Sequence, residues 1–578
     1  MTRVLRWLAL CAALVTGPAL AQGQPPPEAA TGRIARQAVR APHEMIVAAH
    51  PAAARAGLEI LHAGGTALDA TIAAQLVLNV VEPQSSGIGG GAFLVYYDRK
   101  PAVLSAYDGR ETAPASAKAD RFLAPDGKPL RYLEAVGSGM SVGTPGVVRL
   151  LQLTHAAHGR LAWARLFEPA IRIAEDGFAI SPRLAKLIAR DPLLPLDPGA
   201  RALFYHEDGT PKAAGELLRN PALAATLRSI AREGPDAFYG GAIAHDIVAA
   251  VRGRRKPGDL SESDLASYRA LERKPLCGEY RSYRVCGAPP PSAGEATIDM
   301  MLGLLERFPM GKLKPLSVDA VHLFSEAGRL AYADRDRYLA DPAFVPAPLE
   351  QLLSRAYLAR RSLLIRSDSS LGVAQPGLIG SARVPRLASG ETLELPSTTH
   401  VSVVDREGNV AALTSSIESA FGSRILVHGF LLNNQLTDFS YLPAVQGVPV
   451  ANRVEPGKRP RSSMAPTIAF DARGAPRYVL GSPGGNDIIN YVAQTLVALI
   501  DWHLDPQQAV DLPHYGSRNR GTELEQATPA EALAGPLRSR GHEVRIVPET
   551  SGLHVIEIAP QGLVGGADPR REGVALGD

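Results

Sequence analysis

The chain has 578 residues, 46% apolar and 21% charged, with a formal net charge of +3. These are ordinary values for a globular protein of several domain-sized pieces. So small a net charge, with no basic tract, gives no reason to expect nucleic acid as a partner.

The first elements concern export. Arg3 and Arg6 form a positive n-region, Trp7 to Val15 is an apolar run, and Ala19-Leu20-Ala21 is an A-x-A cleavage site. Residues 1–21 therefore read as a signal peptide, because the apolar run is too short to span a bilayer. The mature chain is expected to start at Gln22, to be periplasmic or secreted, and to have no membrane association once the signal is removed. Residues 22–42, rich in Pro, Gly and Ala, read as a disordered tail.

His50 to Val81 reads as two apolar helices broken at Gly64-Gly65, and Ser85 to Asp98 as a glycine loop running into a strand. Thr144-Pro145-Gly146 has the pattern of a helix start, with Thr as N-cap and Pro at the first helical position. Residues from about 150 to 370 are mostly helical in pattern. They are interrupted by a hairpin turning at Arg281-Ser282, whose register sets Cys277 opposite Cys286. Opposed cysteines can form a disulfide in an oxidising compartment, or stay as two thiols. Residues 367–397 have no sustained period and read as a long loop. Then Thr399 to Asp405, a turn at Arg406 to Asn409, and Val410 to Ser416 make a strand pair. A third apolar run spans Ile425 to Leu432, and Arg477 to Leu480 leads through Gly481 to Gly485 into a helix from about Asn486.

Three glycine-rich patterns could carry chemistry. Gly139-Met140-Ser141-Val142-Gly143 matches a nucleophile elbow but lacks the strand before it and a helix directly after it. Gly87 to Ala92 matches a dinucleotide fingerprint, yet a strand follows where a helix is required. Gly481-Ser482-Pro483-Gly484-Gly485 sits between strand and helix, where it could be a phosphate cradle, a plain turn or an oxyanion hole. The junction Ser397-Thr398-Thr399-His400 offers different chemistry. A break before Thr398 would set a new α-amine beside the Thr398 hydroxyl. That amine titrates near pH 7.7–8 and could accept the hydroxyl proton.

On these residues the chain resembles the γ-glutamyltranspeptidases, of the N-terminal-nucleophile hydrolase superfamily. The similar stretches are Thr398 to Asp405, Leu431 to Ser440, Arg461 to Thr467 and Gly481 to Gly485, preceded by Gly64 to Ala70, Gly89 to Gly91, Arg110 to Pro114 and Gly143 to Gly146. The resemblance implies an α+β fold, a four-layer αββα sandwich, and self-cleavage between Ser397 and Thr398. The large subunit would be residues 22–397 and the small subunit 398–578, held together as a heterodimer. Thr398 would attack the γ-carbonyl of glutathione or another γ-glutamyl compound. The resulting γ-glutamyl ester would pass to water or to an amino acid or peptide acceptor. Ser416 would support the nucleophile and Gly484 and Gly485 would form the oxyanion hole. Arg110, Ser462 and Ser463 would bind the α-carboxylate, and Gln435 and Asp438 the α-ammonium. Glu418 stands where most members have Asn, and the segment from Asp438 to Ser462 is short for a full lid. No metal or organic cofactor is implied. Rival readings are an acylase of the same fold acting on glutaryl or β-lactam side-chain amides, a Ser141 esterase, and a non-catalytic binding protein.

Overall fold

The computed structural model describes residues 32–380, 385–390, 392, 395 and 397–578. The signal peptide expected over 1–21 lies outside them. Among the described residues, fourteen strands build two antiparallel seven-stranded sheets. The first runs Val574–Gly577, Met45–Ala48, Thr399–Val404, Val410–Ser416, Gly91–Asp98, Val103–Gly109 and Leu271–Arg273. The second runs Val39–Ala41, Gly562–Ala567, His554–Ala559, Pro476–Gly481, Thr467–Phe470, Tyr283–Gly287 and Leu276–Tyr280.

The inner strands are buried along their length because both faces of each sheet are covered. In Thr399–Val404 all six residues are buried, and successive side chains point to opposite faces. Val401 and Val403 pack with the helix Ala67–Val81. Val404 faces the other way and joins Ile468, Val479 and Val555 in the core between the sheets. The helix Ala67–Val81 is buried along all its residues and starts with a capping box between Thr66 and Asp69. Helices Gly294–Leu305, Val318–Tyr338 and Ile488–Ile500 join the core cluster on the far side of the second sheet. The architecture is the expected four-layer αββα sandwich. Among the described residues no helix is long and apolar enough to cross a membrane.

Two sequence-based expectations need correction, the tail and the helix start at Thr144. The tail expected over 22–42 is not disordered at its end, since Val39–Ala41 pairs with Leu563 to Gly565 and Ile34 N–H donates to Pro569 O at 2.8 Å. Edge pairing and a salt bridge from Arg33 to Glu525 tie it down. Thr144 is not a helix cap: its N–H donates to Thr112 O, and the helix begins at Val147 because Gly146 and Val147 N–H groups are taken by Gly90 O. The apolar run Ile425 to Leu432 is a two-stranded hairpin outside the main sheets. The helix after Gly485 starts at Ile488, behind a single 3₁₀ turn.

The cysteine hairpin has Cys277 opposite Cys286, and their sulfurs are bonded. Closing a sequence separation of 9 restricts the unfolded chain by roughly 2–3 kcal/mol on the chain-entropy account. Position 398 lies at the head of an interior strand of the first sheet. The strand that begins one residue after it is hydrogen-bonded on one side to Met45–Ala48 and on the other to Val410–Ser416. One sheet is therefore woven from chain on both sides of Thr398.

Candidate active site

The loop before the strand Thr399–Val404 delivers Thr398 to the end of the first sheet, with the chain unbroken at Ser397–Thr398. Thr398 has φ +89°. A β-branched residue in that region is sterically strained, by about 1–3 kcal/mol. The strain lies in the torsion that includes the Ser397 carbonyl carbon, so breaking the 397–398 bond removes it. The Thr398 hydroxyl donates to Ser416 Oγ at 3.1 Å, and Ser416 Oγ is itself fixed by the Glu418 N–H at 2.9 Å.

The glycine turn closes over the same bond. Gly484 N–H donates to Ser397 O at 3.2 Å. Of the two glycines, this one touches the Ser397 carbonyl, while Gly485 lines the pocket beside it. Gly484 has φ +144° and a Cβ there would lie 2.4 Å from the Tyr491 ring, so only glycine fits. An N–H aimed at a carbonyl next to a hydroxyl nucleophile is the geometry of an oxyanion hole. The turn's alternative role as a phosphate cradle has no second observation behind it.

One small cavity, of about 20 Å³, brings together Arg110, Thr398, Ser416, Glu418, Gln435, Asp438, Ser462, Ser463 and Gly485, with Leu395 of the preceding loop in its wall. Residues from both sides of position 398 thus converge on one point. The cavity is too small for a substrate while Leu395 stands there. Arg110, fully buried, donates to Asp438 Oδ2 at 2.5 Å, to Pro460 O at 3.1 Å and to Arg461 O at 2.9 Å. Gln435 Nε2 donates to the same Asp438 oxygen at 2.7 Å. The buried Gln435 Oε1 has no hydrogen-bond partner among the described residues, and aims an acceptor into the site. Ser462 Oγ accepts from Met464 N–H, and Ser463 Oγ accepts from Arg335 at 2.6 Å while donating to Asn486 Oδ1 at 3.1 Å.

Glu418 is buried, with φ +80°. Its carboxylate accepts from Tyr132 OH at 2.9 Å, from Asn434 Nδ2, and from Leu395 N–H at 3.4 Å. Burial pushes its carboxyl up to about 7 against these hydrogen bonds.

Several contributors escaped sequence reasoning. Arg571, near the C-terminus, donates to Thr398 O at 3.1 Å. Glu82, pushed up to about 8 by burial, accepts from Thr399 Oγ1 at 3.3 Å and pairs with Arg183. Tyr132 and Arg335 hold Glu418 and Ser463 in place. None of these carries a local signal, because each is defined by a partner far away in sequence. The elbow serine is explained differently: Ser141 Oγ donates to Val136 O and Ser138 O, both at 2.9 Å, and is spent on its own turn. The glycines at 89–90 are packing glycines. A Cβ on Gly90 would lie 2.1 Å from Ser416 O, so they let that loop lie against the strand carrying Ser416. His322, Glu326 and His542 cluster closely enough to suggest a metal. Their nitrogens instead bond one another and their neighbours: His322 Nδ1 to His542 Nε2 at 2.7 Å, His322 Nε2 to Arg366 O, and His542 Nδ1 to Thr522 Oγ1.

An αββα sandwich with a threonine hydroxyl at the head of a central strand, facing an oxyanion N–H across the preceding carbonyl, defines an N-terminal-nucleophile hydrolase. Residues 53–578 match the family model for gamma-glutamyltranspeptidase. The chain is 37% identical over 544 residues to the glutathione hydrolase proenzyme of Escherichia coli (strain K12), covering 92% of this chain and 91% of that one. It is 36% identical to the acylase ACY 1 proenzyme of Pseudomonas sp. (strain SE83), covering 90% and 91%. Its fold is also similar to the crystal structure of cephalosporin acylase from Bacillus halodurans, with TM-score 0.79 and 28% identity over 96% of this chain and 99% of that one. The chain belongs to the γ-glutamyltranspeptidase family.

Proposed function

We propose that this enzyme is a self-cleaved γ-glutamyltransferase and glutathione hydrolase with Thr398 as nucleophile. The observation that carries the reading is the Ser397 carbonyl held by Gly484 N–H directly beside the Thr398 hydroxyl. In the precursor, Thr398 Oγ1 attacks the Ser397 carbonyl carbon, the C–N bond breaks and an ester forms. That cleavage frees the Thr398 α-amine, and water then hydrolyses the ester, releasing the Ser397 carboxylate and restoring the Thr398 hydroxyl. In the cut enzyme the amine takes the hydroxyl proton as Oγ1 attacks a γ-glutamyl carbonyl. The Gly484 N–H that held the scissile carbonyl now serves the substrate oxyanion. The amine leaving group departs with a proton, and water or an acceptor amine resolves the γ-glutamyl ester.

The two fragments are proposed to stay together as a heterodimer, because one sheet contains strands from both. Export to the periplasm or medium is proposed from the N-terminal signal pattern. The bonded cysteine pair, which suits an oxidising compartment, supports it.

The acylase relatives favour a second reading, in which the acyl group is glutaryl or a β-lactam side chain. The Arg110–Asp438 pair decides against it on physical grounds. A γ-glutamyl group brings a carboxylate for Arg110 and an ammonium for Asp438, so both buried charges keep a partner. A glutaryl group has no cation to offer Asp438, and a buried charge without a partner is costly. The expected result is that γ-glutamyl-p-nitroanilide is cleaved with a kcat/KM at least about 100-fold above glutaryl-p-nitroanilide. Equal rates would make the enzyme an acylase.

Glu418 adds a pH dependence. Its carboxyl, pushed up by burial to about 7, is neutral below that pH and negative above it. Only the negative form attracts the donor's ammonium. The KM for a γ-glutamyl donor is therefore expected to fall as pH rises through about 7, and to stay flat in Glu418→Gln. KM-against-pH profiles of the two proteins check this.

A further inference from the structure

Glu44, His62 and Asp578 meet at one end of the first sheet. Glu44 directly precedes the strand Met45–Ala48, and Asp578 directly follows its neighbour Val574–Gly577. Their backbones lock together: the Glu44 N–H donates to Asp578 O and the Asp578 N–H to Glu44 O, both at 3.0 Å. His62 is the last residue of the helix Pro51–His62, which packs on both strands. Sheet register and helix length thus bring the three together, and none of them lines the cavity at Thr398.

Their spacing is that of ligands to a common ion rather than of hydrogen-bond partners. His62 Nε2 lies 3.4 Å from Asp578 Oδ2 and 3.6 Å from Glu44 Oε1. A direct hydrogen bond would bring such atoms to about 2.9 Å. Tetrahedral zinc, with bonds of about 2.0–2.2 Å, sets neighbouring ligand atoms about 3.3–3.6 Å apart. The cluster of His322, Glu326 and His542 fails this comparison, because His322 Nδ1 and His542 Nε2 are bonded to each other at 2.7 Å.

A second observation points the same way. Glu44 is only 2% exposed, and its Oε1 has no hydrogen-bond partner among the described residues. A buried carboxylate oxygen without a partner is costly. Arg406 Nε stands 3.5 Å from the other oxygen, Oε2, on an exposed side chain, and leaves Oε1 facing His62. A cation held between Oε1, the imidazole and the Asp578 carboxylate supplies the missing partner. One imidazole with two carboxylates suits a divalent transition-metal ion. His62 and Asp578 are exposed, which gives the ion a way in and leaves room for water as a fourth ligand.

We propose that Glu44 Oε1, His62 Nε2 and Asp578 Oδ2 form a zinc site. Glu44 and His62 precede position 398 and Asp578 follows it, so in the cut enzyme the ion ties the two fragments together.

The test is calorimetric titration of the untagged protein with zinc, beside thermal unfolding. The wild type is expected to bind a single equivalent and to gain about 2 °C in Tm at about 100-fold excess over Kd. His62→Ala and Asp578→Asn change exposed side chains, and the zinc-free Tm of each checks that it folds. Each is expected to weaken zinc binding at least about tenfold, a loss seen even for groups one shell outside a metal's ligands. A wild type that binds no zinc leaves the cluster an ion triad only and overturns the proposal. Binding that survives either variant places the ion elsewhere and overturns it too. Calcium, which takes oxygen ligands, is the control: binding as tight as that of zinc removes the imidazole from the site and overturns the assignment.

Discussion

Thr398→Ala is expected to remain a single uncut chain with no detectable turnover. The substitution removes the attacking oxygen from a bond that is otherwise fully prepared. The Ser397 carbonyl is already held by Gly484, and φ +89° at position 398 already stores strain that cleavage releases. Neither feature can break the bond without a nucleophile. Mass analysis should find a C-terminal fragment beginning at Thr398 in the wild type and only the full chain in the variant. Thr398→Ser is the informative partner. It keeps an oxygen, so it should still cut, but more slowly, since serine holds its χ1 less firmly than a β-branched residue. If Thr398→Ala cuts at the same place, another group attacks, and the N-terminal-threonine mechanism is wrong.

Asp438→Asn is expected to lower kcat/KM on γ-glutamyl donors by roughly 10²–10³-fold, equivalent to about 3–4 kcal/mol. Arg110 and Asp438 form a buried pair at 2.5 Å. In the proposed reading an arriving α-amino acid end would give its carboxylate to Arg110 and its ammonium to Asp438, so each protein charge would trade one partner for another. Gln435 Oε1, buried without a partner among the described residues, then gains a donor from the ammonium. Asparagine keeps the shape and the Gln435 contact but supplies no countercharge. It also leaves Arg110 paired only with carbonyl oxygens and, at 3.8 Å, the Glu111 carboxylate. The loss should therefore be specific to donors with an α-amino group. Measuring Tm beside the kinetics separates it from unfolding. An unchanged kcat/KM would remove Asp438 from the substrate site.

Much of this protein was legible in the residues themselves. The order of strands and helices along the chain reads as layered sheets flanked by helices, and the resemblance to a known family implied the four-layer αββα arrangement. The break in texture between the loop at 367–397 and the strand after it marks the position of Thr398. The cysteine register follows from counting outward from a two-residue turn. The site residues Arg110, Gln435, Asp438, Ser462 and Ser463 could be named because their surrounding motifs resemble a known family. Their mutual arrangement could not.

Sequence by itself determined what is local: periodicity, turn chemistry, and the hydroxyl and glycines in their order along the chain. Tertiary structure alone decided which of these groups meet. It set Arg110 on Asp438 across 328 residues, Arg571 on the Thr398 carbonyl across 173, and Tyr132 on Glu418 across 286. It also set Gly484 N–H on the carbonyl before Thr398 and Leu395 in the pocket that a substrate would need. The physical reason is that a periodic pattern fixes which face of an element is buried but not what that face will touch. Contacts between distant side chains are chosen only when the layers pack, by complementary charge and by the few backbone shapes, such as φ +144° at Gly484, that let two segments approach.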